Sequence, residues 1–344
     1  MIQADFAVTE RRETVLAVSG LTKRFGTPTP WLARLWKDAH RVVLAVADVS
    51  FTIERGGTLA LVGESGCGKS TVARCVAGIL TPTAGTINFM GTDMANQRAD
   101  RAVRRHLQMI FQDPYASLNP RWRVGRIVAE PIRTHGLISR QRIEERVAEL
   151  LFQVGLSAQD AGRYPHEFSG GQRQRISIAR ALASEPDFIV CDEPTSALDV
   201  SVQAQILNLM RRLQERLRLT YLLISHNLSV VAHMADTIAV MYLGRLVEIG
   251  EASRILDRPL HPYTRMLLEA VPDIEMTGRR RQPLIGEAPS PFTPPAGCAF
   301  HPRCPLANGR CSRERPHAVE VAGVRVACHA VTEGRTHSHR RTQH

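Results

Sequence analysis

The sequence predicts an α/β fold in which a mostly parallel β-sheet carries a phosphate-binding loop. The first observation is the pattern G-x-x-x-x-G-K-S/T, which begins at residue 63 between an apolar run, residues 58–62, and a helix-like segment, residues 71–78. The second is an apolar run, residues 188–191, that ends in two adjacent carboxylates. The third is the alternation of helix-like and strand-like segments from residue 202 to about residue 249, which is typical of a parallel sheet.

Length, charge and hydropathy limit the class of protein. The chain has 344 residues, which is enough to bury a substantial core. No apolar stretch approaches the roughly 18–20 residues needed to cross a bilayer, and the first residues do not resemble a signal peptide. We therefore expect a cytosolic protein that meets a membrane only through partners. The net charge of +11 assigns no partner, because much of the excess lies in residues 279–281 and in the tail 335–344.

The predicted elements follow in chain order. Two strands are predicted over residues 14–26 and 42–54, separated by an insert containing Pro and Trp at residues 27–40. A third strand, residues 58–62, leads into the phosphate-binding loop. A helix is predicted over residues 141–155, where apolar residues recur at helical spacing.

The phosphate-binding loop carries the clearest chemistry. Its glycines let successive N–H groups turn toward an anion, and the following helix adds the positive end of its dipole. Lys69 can reach the β- and γ-phosphates of a nucleotide, and the Ser70 hydroxyl can bind Mg²⁺. We therefore predict that a nucleoside triphosphate binds here. The predicted contacts are Gly63, Glu64, Ser65, Gly66, Cys67, Gly68, Lys69, Ser70 and Thr71.

The two carboxylates after the apolar run 188–191 suit hydrolysis of that nucleotide. Asp192, at the end of the predicted strand, is placed to hold Mg²⁺ directly or through water. Glu193 can orient or deprotonate an attacking water. An acidic loop after a buried strand is the alternative interpretation. The phosphate-binding loop upstream makes the catalytic interpretation the stronger one.

A second phosphate-binding surface is predicted at residues 169–172. Ser169, Gly170, Gly171 and Gln172 precede a helix predicted over residues 173–182. A serine N-cap followed by glycines exposes backbone donors at the positive end of a helix. Since one nucleotide cannot easily use both surfaces of one protomer, this surface is expected to face a nucleotide held by another subunit.

The segment 169–172, together with the phosphate-binding loop, resembles the ATP-binding subunits of ABC transporters over roughly residues 14–258. The resemblance implies a P-loop NTPase of the ABC type, with a RecA-like core, an antiparallel β edge and a helical subdomain. It also implies ATP and Mg²⁺ as cofactors. Phe168 and Phe25 stand where the family usually has Leu and Tyr, and both changes should leave nucleotide binding intact.

The same resemblance assigns roles to four further residues. Phe25 matches the aromatic residue that stacks on adenine, and Gln112 matches the glutamine that links Mg²⁺ to the membrane subunits. Asp199 ends the segment 196–199, which matches the loop that crosses the dimer interface. His226 matches the histidine that contacts the γ-phosphate. Glu193, His226 and Gln112 are therefore the expected catalytic set.

A finer resemblance is to the oligopeptide/dipeptide importer branch, carried by residues 115–120, 164–168 and 261–264. It implies an ATPase at the cytoplasmic face of the cell membrane, with two transmembrane permeases, an extracytoplasmic solute-binding protein and a second ATPase, either a copy or a paralogue. No nucleic acid is implied. An importer of nickel or another small solute, and a soluble complex such as one of phosphonate metabolism, stay open as alternatives.

Four cysteines crowd together near the C-terminal end. They are Cys298, Cys304, Cys311 and Cys328. Clustered thiols in a reducing compartment suggest a metal before a disulfide. The expected group is a 4Fe–4S cluster, which the importer resemblance also implies; Zn²⁺ is the alternative because histidines lie nearby. Unmetallated thiols are the third possibility. The expected role of a metal is structural, replacing a core that so short a segment lacks.

The sequence divides into two predicted parts. Residues 1–258 form the ATP-binding domain, with its helical subdomain at about residues 104–180. Residues 259–344 form a C-terminal extension that contains a linker near residues 277–297, the cysteine cluster at 298–328 and a disordered basic tail.

Overall fold

The computed structural model of the protein describes four stretches of the chain. They are residues 13–26, 42–94, 101–270 and 289–336. The predicted insert at residues 27–40, most of the predicted linker and the end of the basic tail lie outside these residues.

The described residues contain strands and helices in alternation. The strands are β1 Thr14–Gly26, β2 Val42–Glu54, β3 Thr58–Val62, β4 Ala84–Phe89, β5 Thr92–Asp93, β6 Leu107–Ile110, β7 Phe188–Asp192, β8 Thr220–Ser225, β9 Thr237–Tyr242, β10 Arg245–Glu251, β11 Val319–Val321 and β12 Val324–Val326. The helices are α1 Lys69–Val76, α2 Arg101–His106, α3 Pro114–Ser117, α4 Val124–His135, α5 Ile143–Gln153, α6 Gly170–Leu182, α7 Val200–Leu217, α8 Leu228–Met234, α9 Ala252–Asp257, α10 Pro262–Glu269 and α11 His329–Thr332. Strands β1, β2 and β3 have the predicted bounds.

The strands form two sheets. The smaller is antiparallel, with strand order β2-β1-β4-β5. The larger has the order β11-β12-β10-β9-β3-β8-β7-β6, and its strands from β9 to β6 are parallel. The predicted mostly parallel sheet is therefore confirmed. The predicted antiparallel edge is present as a separate sheet. In addition, the larger sheet has antiparallel pairing at one end, where β9 pairs with β10, β10 with β12 and β12 with β11.

Strand β3 lies at the centre of the larger sheet and is buried on both faces. Leu59 and Leu61 belong to the core shared with the antiparallel sheet, whereas Ala60 and Val62 belong to the core shared with the helices. This alternation follows from the period of a strand, whose successive side chains point to opposite faces. It explains why the run 58–62 is continuously buried. A strand held from both sides gives the phosphate-binding loop a rigid base.

Helices α4, α5 and α6 pack against one another beside the larger sheet. Their buried residues, such as Val128, Leu151 and Ile178, join the same core as the helix-facing side of β3. Two predicted helices begin earlier than expected. Helix α6 begins at Gly170 rather than at residue 173, and α1 begins at Lys69. Within the described residues, no helix is both long enough and apolar enough to span a bilayer.

The C-terminal stretch continues the larger sheet instead of standing apart from it. Strand β12 pairs antiparallel with β10, and β11 pairs with β12. Phe300 is 1% exposed and belongs, with Val324, to the same core as the helix-facing side of β3. The expectation that a metal must replace a missing core is therefore wrong in its premise, because this stretch shares the core of the larger sheet.

Helix α10 is fixed by a buried polar turn at its start. His261 is 1% exposed, and its Nδ1 accepts a hydrogen bond from the Tyr263 N–H at 3.0 Å as the N-cap. The Glu248 carboxylate accepts hydrogen bonds from the Leu260 N–H at 2.6 Å and the His261 N–H at 3.1 Å. Burial lowers the pKa of His261 to about 3, so the ring is neutral at physiological pH.

This turn predicts a loss of stability on mild acidification. The pKa of His261 in the folded chain lies below its unfolded value, so the unfolded chain binds the extra proton and stability falls as the pH drops below about 6.5. We expect wild type to lose about 2 kcal/mol more than His261→Asn between pH 7 and pH 5. Denaturant unfolding at both pH values measures this difference. Asparagine retains an N-cap acceptor without titrating, and Glu248, whose pKa is raised by burial, is common to both proteins. Equal losses in the two proteins would contradict the prediction.

Candidate functional site

The candidate site forms where parallel strands of the larger sheet end. Strand β3 ends at Val62, β7 at Asp192 and β8 at Ser225, and the register pairs Val62 with Ser225 and Asp192 with Ile224. The loops that follow therefore begin at one edge of the sheet. Crevices outside the carboxyl ends of such strands are the usual ligand sites of α/β folds.

The phosphate-binding loop depends on glycine at two close approaches. Gly63 has φ 150°, and a Cβ there would lie 2.2 Å from the Met241 carbonyl oxygen. Gly68 has φ 109°, and its Cβ would lie 2.3 Å from the Ala45 carbonyl oxygen. No other residue fits these backbone positions without moving β9 or β2. The loop is thus pressed between two strands, with helix α1 beginning directly after it.

Lys69 lies inside the curl of this loop. Its ammonium donates hydrogen bonds to the carbonyl oxygens of Gly63 and Glu64, both at 2.8 Å, and the residue is 5% exposed. The Cys67 thiol lies 3.8 Å from the same nitrogen, and burial raises the pKa of that thiol, so it stays protonated. The loop therefore places one buried cation where an anion would bind, and the neighbouring thiol adds no negative charge that would repel that anion.

Ser70 and Asp192 come together as the sequence predicts. The Ser70 hydroxyl donates a hydrogen bond to Asp192 Oδ1 at 2.9 Å. Asp192 is 2% exposed, and burial raises the pKa of its carboxyl. Removing a carboxylate from water is unfavourable unless a cation or donors compensate it. A hydroxyl oxygen next to a desolvated carboxylate is a donor set that suits Mg²⁺.

Glu193 is contacted by two of the predicted catalytic residues. Gln112, in the loop after β6, donates from Nε2 to Glu193 Oε2 at 2.9 Å. His226, directly after β8, places Nδ1 at 3.1 Å from Glu193 Oε1. Glu193 has a left-handed backbone (φ 48°), and its side chain is 16% exposed. Loops from three strands therefore meet at one carboxylate, and the predicted catalytic set is assembled.

The position of Gln112 refines its expected part in cation binding. Its amide nitrogen donates a hydrogen bond to the Glu193 carboxylate. An amide that donates through Nε2 keeps its carbonyl oxygen available as a ligand. The geometry is therefore compatible with a cation that Gln112 shares with the Ser70–Asp192 pair.

The second phosphate-binding surface is a capped helix start. Ser169 Oγ accepts from the Gln172 N–H at 3.3 Å, and Gln172 Oε1 accepts from the Ser169 N–H at 3.0 Å. This reciprocal capping box explains why α6 already begins at Gly170. Among the described residues, no hydrogen bond or ion pair joins Ser169–Gln172 to the phosphate-binding loop. The expectation that this surface faces a nucleotide held by another subunit therefore stays a prediction.

Asp199 lies beside this second surface. Its carboxylate accepts hydrogen bonds from the Val202 N–H at 2.9 Å and the Ser201 hydroxyl at 2.8 Å, capping α7. The Val202 hydrogen bond, more than any other contact, lowers the pKa of Asp199. A Cβ on Gly171 would lie 2.4 Å from a Val202 methyl group, so the start of α6 packs closely on α7. The two predicted interface elements therefore form one surface.

Phe25 lies near the end of β1, and the residue is 41% exposed. The ring pairs with a cation, because Lys23 Nζ lies 5.3 Å from its centroid. An accessible ring face suits stacking on a base. The predicted adenine contact is therefore sterically available.

Two residues far along the chain also contact the phosphate-binding loop, and no sequence pattern predicts either contact. The Tyr263 hydroxyl accepts a hydrogen bond from the Glu64 N–H at 2.9 Å, across 199 positions of sequence. The Arg303 guanidinium donates to both carboxylate oxygens of Glu64, at 2.8 and 2.9 Å, across 239 positions. Contacts of such separation have no local periodicity or spacing that could reveal them.

The four C-terminal cysteines do not form a metal site as they are arranged. Within the described residues, no group of three or more His, Cys, Asp or Glu side chains is placed to hold a metal ion. The thiols are nonetheless neighbours. The Cys298 N–H donates to the Cys311 carbonyl oxygen at 2.8 Å, and the pKa of Cys304 is raised to about 11, mainly by burial and further by the other three thiols. The expected iron–sulfur or zinc site is therefore not supported by this geometry.

Comparison with known proteins gives a consistent set of matches. The model of the ABC transporter family matches residues 46–196, and a model described as the oligopeptide/dipeptide transporter C-terminal region matches residues 247–311. The oligopeptide transport ATP-binding protein AppF of Bacillus subtilis is 49% identical over 325 residues, covering 92% of this chain and 98% of that protein. The di/tripeptide transport ATP-binding protein DppF of Pseudomonas aeruginosa is 49% identical, with the same coverage of both chains.

Solved structures match the ATP-binding part. A dimeric structure of the bacterial ABC transporter cassette MJ0796 gives a TM-score of 0.60 at 26% identity, covering 69% of this chain and 98% of that chain. The structure of cbiO1 from Clostridium perfringens, part of the transporter complex cbiONQ, gives a TM-score of 0.58 at 26% identity, covering 71% of this chain and 90% of that one.

Proposed function

Because the chain belongs to the ATP-binding subunits of ABC transporters, in their oligopeptide/dipeptide branch, we propose that it hydrolyses ATP to drive peptide uptake through a membrane importer. The observation that carries the proposal is the meeting of Gln112, Glu193 and His226 beside the Ser70–Asp192 pair. A nucleotide on the phosphate-binding loop would present its γ-phosphate to this group. Peptides are proposed as the solute because the relatives are named for oligopeptide and di/tripeptide transport.

Different residues bind the base, the phosphates and the metal ion of ATP. Phe25 stacks on the base, and the phosphate-binding loop, residues 63–71, binds the phosphates with Lys69 and with backbone N–H groups other than that of Glu64, which donates to Tyr263. Ser70, Asp192 and Gln112 hold Mg²⁺, which when bound neutralises charge on the β- and γ-phosphates. The buried Asp192 carboxylate, which already interacts electrostatically with Arg74 and Lys69, would gain a further counter-charge from the cation.

Hydrolysis is assigned to the Glu193 group. The Glu193 carboxylate accepts a proton from the attacking water, while Gln112 and His226 fix its two oxygens in place. His226 is 58% exposed, so the ring can also contact the γ-phosphate of the nucleotide. A base held from two sides keeps its orientation while the site around it closes.

Closure requires a second ATPase subunit, either a copy of this chain or a paralogue. Residues 169–172 and Asp199 face the nucleotide of that partner, and the partner's equivalent surface covers the phosphate-binding loop here. Support comes from the dimeric state of the matched cassette structure. Closure then excludes water and adds donors around the γ-phosphate.

The helical layer is proposed to carry this movement to the permeases. Arg180 on α6 donates to the Ser117 carbonyl oxygen at 2.6 Å, and Arg173 lies 4.7 Å from the Tyr115 ring centroid. These contacts tie the helix after Ser169 to the loop that follows Gln112. Two transmembrane permeases, an extracytoplasmic solute-binding protein and a place on the cytoplasmic face of the membrane complete the proposal. The chain then consists of an ATP-binding domain, residues 1–258, and a C-terminal extension, residues 259–344.

The test is a mild-detergent pull-down of the tagged protein from native membranes, followed by mass spectrometry. Two permeases and an ATPase partner are expected to co-elute, and peptide uptake should stop when the gene is deleted. Recovery of soluble enzymes alone would overturn the importer assignment. Co-elution with permeases whose uptake substrate is a metal ion would overturn the peptide assignment.

A metal in the cysteine cluster is a separate proposal on which no catalytic step depends. Its support is the grouping of four thiols within residues 298–328 and the electrostatic effect of the other three thiols on the pKa of Cys304. Binding would require these thiols to lose their protons and move together. Protein purified without oxygen is then expected to contain about four iron atoms per chain, or about one zinc. Metal analysis that finds neither would remove the proposal.

A further inference from the structure

An ion pair joins the C-terminal extension to the phosphate-binding loop. Arg303 donates two hydrogen bonds to the Glu64 carboxylate, and the side chains are only 4% and 19% exposed. Such a bidentate pair combines charge with fixed geometry. Hydrogen bonding to Glu64 raises the pKa of Arg303, so the guanidinium is charged at every relevant pH. Glu64 therefore has a dedicated counter-charge, supplied from the far end of the chain.

Arg303 is held in place by an aromatic cluster. Phe300, three residues earlier, packs edge-on against Tyr242 with ring centroids 5.3 Å apart, and its centroid lies 5.4 Å from that of Tyr263. Tyr263 also accepts the hydrogen bond from the Glu64 N–H. The extension thus forms hydrogen bonds with Glu64 at two points. Tyr263 bonds to the Glu64 backbone, and Arg303 bonds to the Glu64 side chain.

The negative charge of Glu64 makes these hydrogen bonds relevant to nucleotide binding. Glu64 is the second residue of a loop that offers its N–H groups to phosphate. A carboxylate at that position repels a triphosphate unless a cation neutralises it. Arg303 supplies that cation and, through its two hydrogen bonds, also fixes where the carboxylate lies.

We propose that Arg303 is a positioning residue for the nucleotide site, which neutralises Glu64 and thereby sets the affinity of the phosphate-binding loop for ATP. The inference rests on the proposed function of this loop as the ATP site. It gives the C-terminal extension a direct part in nucleotide binding. A purely structural role, in which the pair only anchors the extension, is the alternative that the experiment separates from it.

The experiment measures the dissociation constant of a fluorescent ATP analogue, with Mg²⁺, on the purified full chain. Arg303→Met is expected to weaken binding about tenfold, which is the effect of one incompletely screened charge near a phosphate. The loss should shrink at high salt, because screening weakens the repulsion by Glu64. Arg310→Met is the matched control, since this exposed arginine of the same extension pairs with Glu314 and Glu333. It should bind as wild type does.

The double variant Arg303→Met/Glu64→Gln separates the two roles. If the carboxylate causes the repulsion, removing it should recover most of the lost affinity. An anchor role predicts instead that the double variant binds as weakly as Arg303→Met, and that result would overturn the proposal. Unchanged affinity in Arg303→Met would overturn it as well.

Glu64→Gln and wild type each provide one further test. If Arg303→Met does not fold, Glu64→Gln decides: with Arg303 left uncompensated, it is expected to bind the analogue about threefold more tightly. Weaker binding would contradict the proposal. If wild type itself does not bind the analogue, the proposed function fails, and this result is distinct from any failure of the Arg303 inference.

Discussion

Replacing Glu193 with glutamine is expected to lower the rate of ATP hydrolysis on the order of a thousandfold while leaving ATP binding intact. The carboxylate is the only acidic group that both Gln112 and His226 contact among the described residues. Glutamine keeps the size and one acceptor of this side chain but cannot take a proton from water. The variant should therefore accumulate as an ATP-bound, closed dimer, which gel filtration with ATP and Mg²⁺ detects.

Glu185→Gln is the matched control for this change. Glu185 shares the left-handed backbone of Glu193, with φ 54° against 48°, and it precedes the start of β7, whereas Glu193 follows the end of that strand. Its carboxylate pairs with Arg105 and is 49% exposed, far from the predicted chemistry. It should hydrolyse ATP at the wild-type rate. Normal turnover by the Glu193 variant would show that another group accepts the proton.

The predicted and observed structures agree best where the information is local. The bounds of β1, β2 and β3 follow from alternation and from the loop pattern that ends β3. The meeting of Ser70 with Asp192 also follows, because both residues continue from the carboxyl ends of parallel strands. The start of α6 was predicted three residues late, since Ser169 and Gln172 form a capping box that brings the glycines between them into the helix.

The contacts that the sequence could not predict join residues that lie far apart in the chain. Strands β11 and β12 are three residues each, too short to show a period of two, and the pairing of β12 with β10 brings the extension onto the larger sheet. The contacts of Tyr263 and Arg303 with Glu64 follow from that placement and from the packing of Phe300. The cysteine spacing suggested a metal, whereas the structure packs the segment through apolar contacts. Spacing alone did not distinguish these two ways of ordering it.

Replacing Lys69 should have the largest effect on nucleotide affinity. Lys69→Met is expected to weaken ATP binding by at least about a hundredfold, because it removes the one buried cation that the loop places among its phosphate-binding N–H groups. Lys69→Arg is the sharper test, because it keeps the positive charge and changes only the shape of the group that carries it. Arginine carries most of the positive charge elsewhere in this chain, whereas lysine is rare. An ammonium is a compact point charge with three donors, whereas a guanidinium is a planar fork that needs more space.

The surroundings of Lys69 decide what Lys69→Arg will do. The residue is 5% exposed, and its nitrogen is enclosed by the carbonyl oxygens of Gly63 and Glu64, so a wider head group cannot occupy the same place. We therefore expect Lys69→Arg to bind ATP nearly as poorly as Lys69→Met, as measured by titration calorimetry. Arg180→Met is the control, since it also removes a partly buried cation that donates to a backbone carbonyl but lies on α6. It should lose stability and keep its ATP affinity, whereas wild-type affinity in Lys69→Arg would mean that charge alone, without the compact shape of lysine, is sufficient.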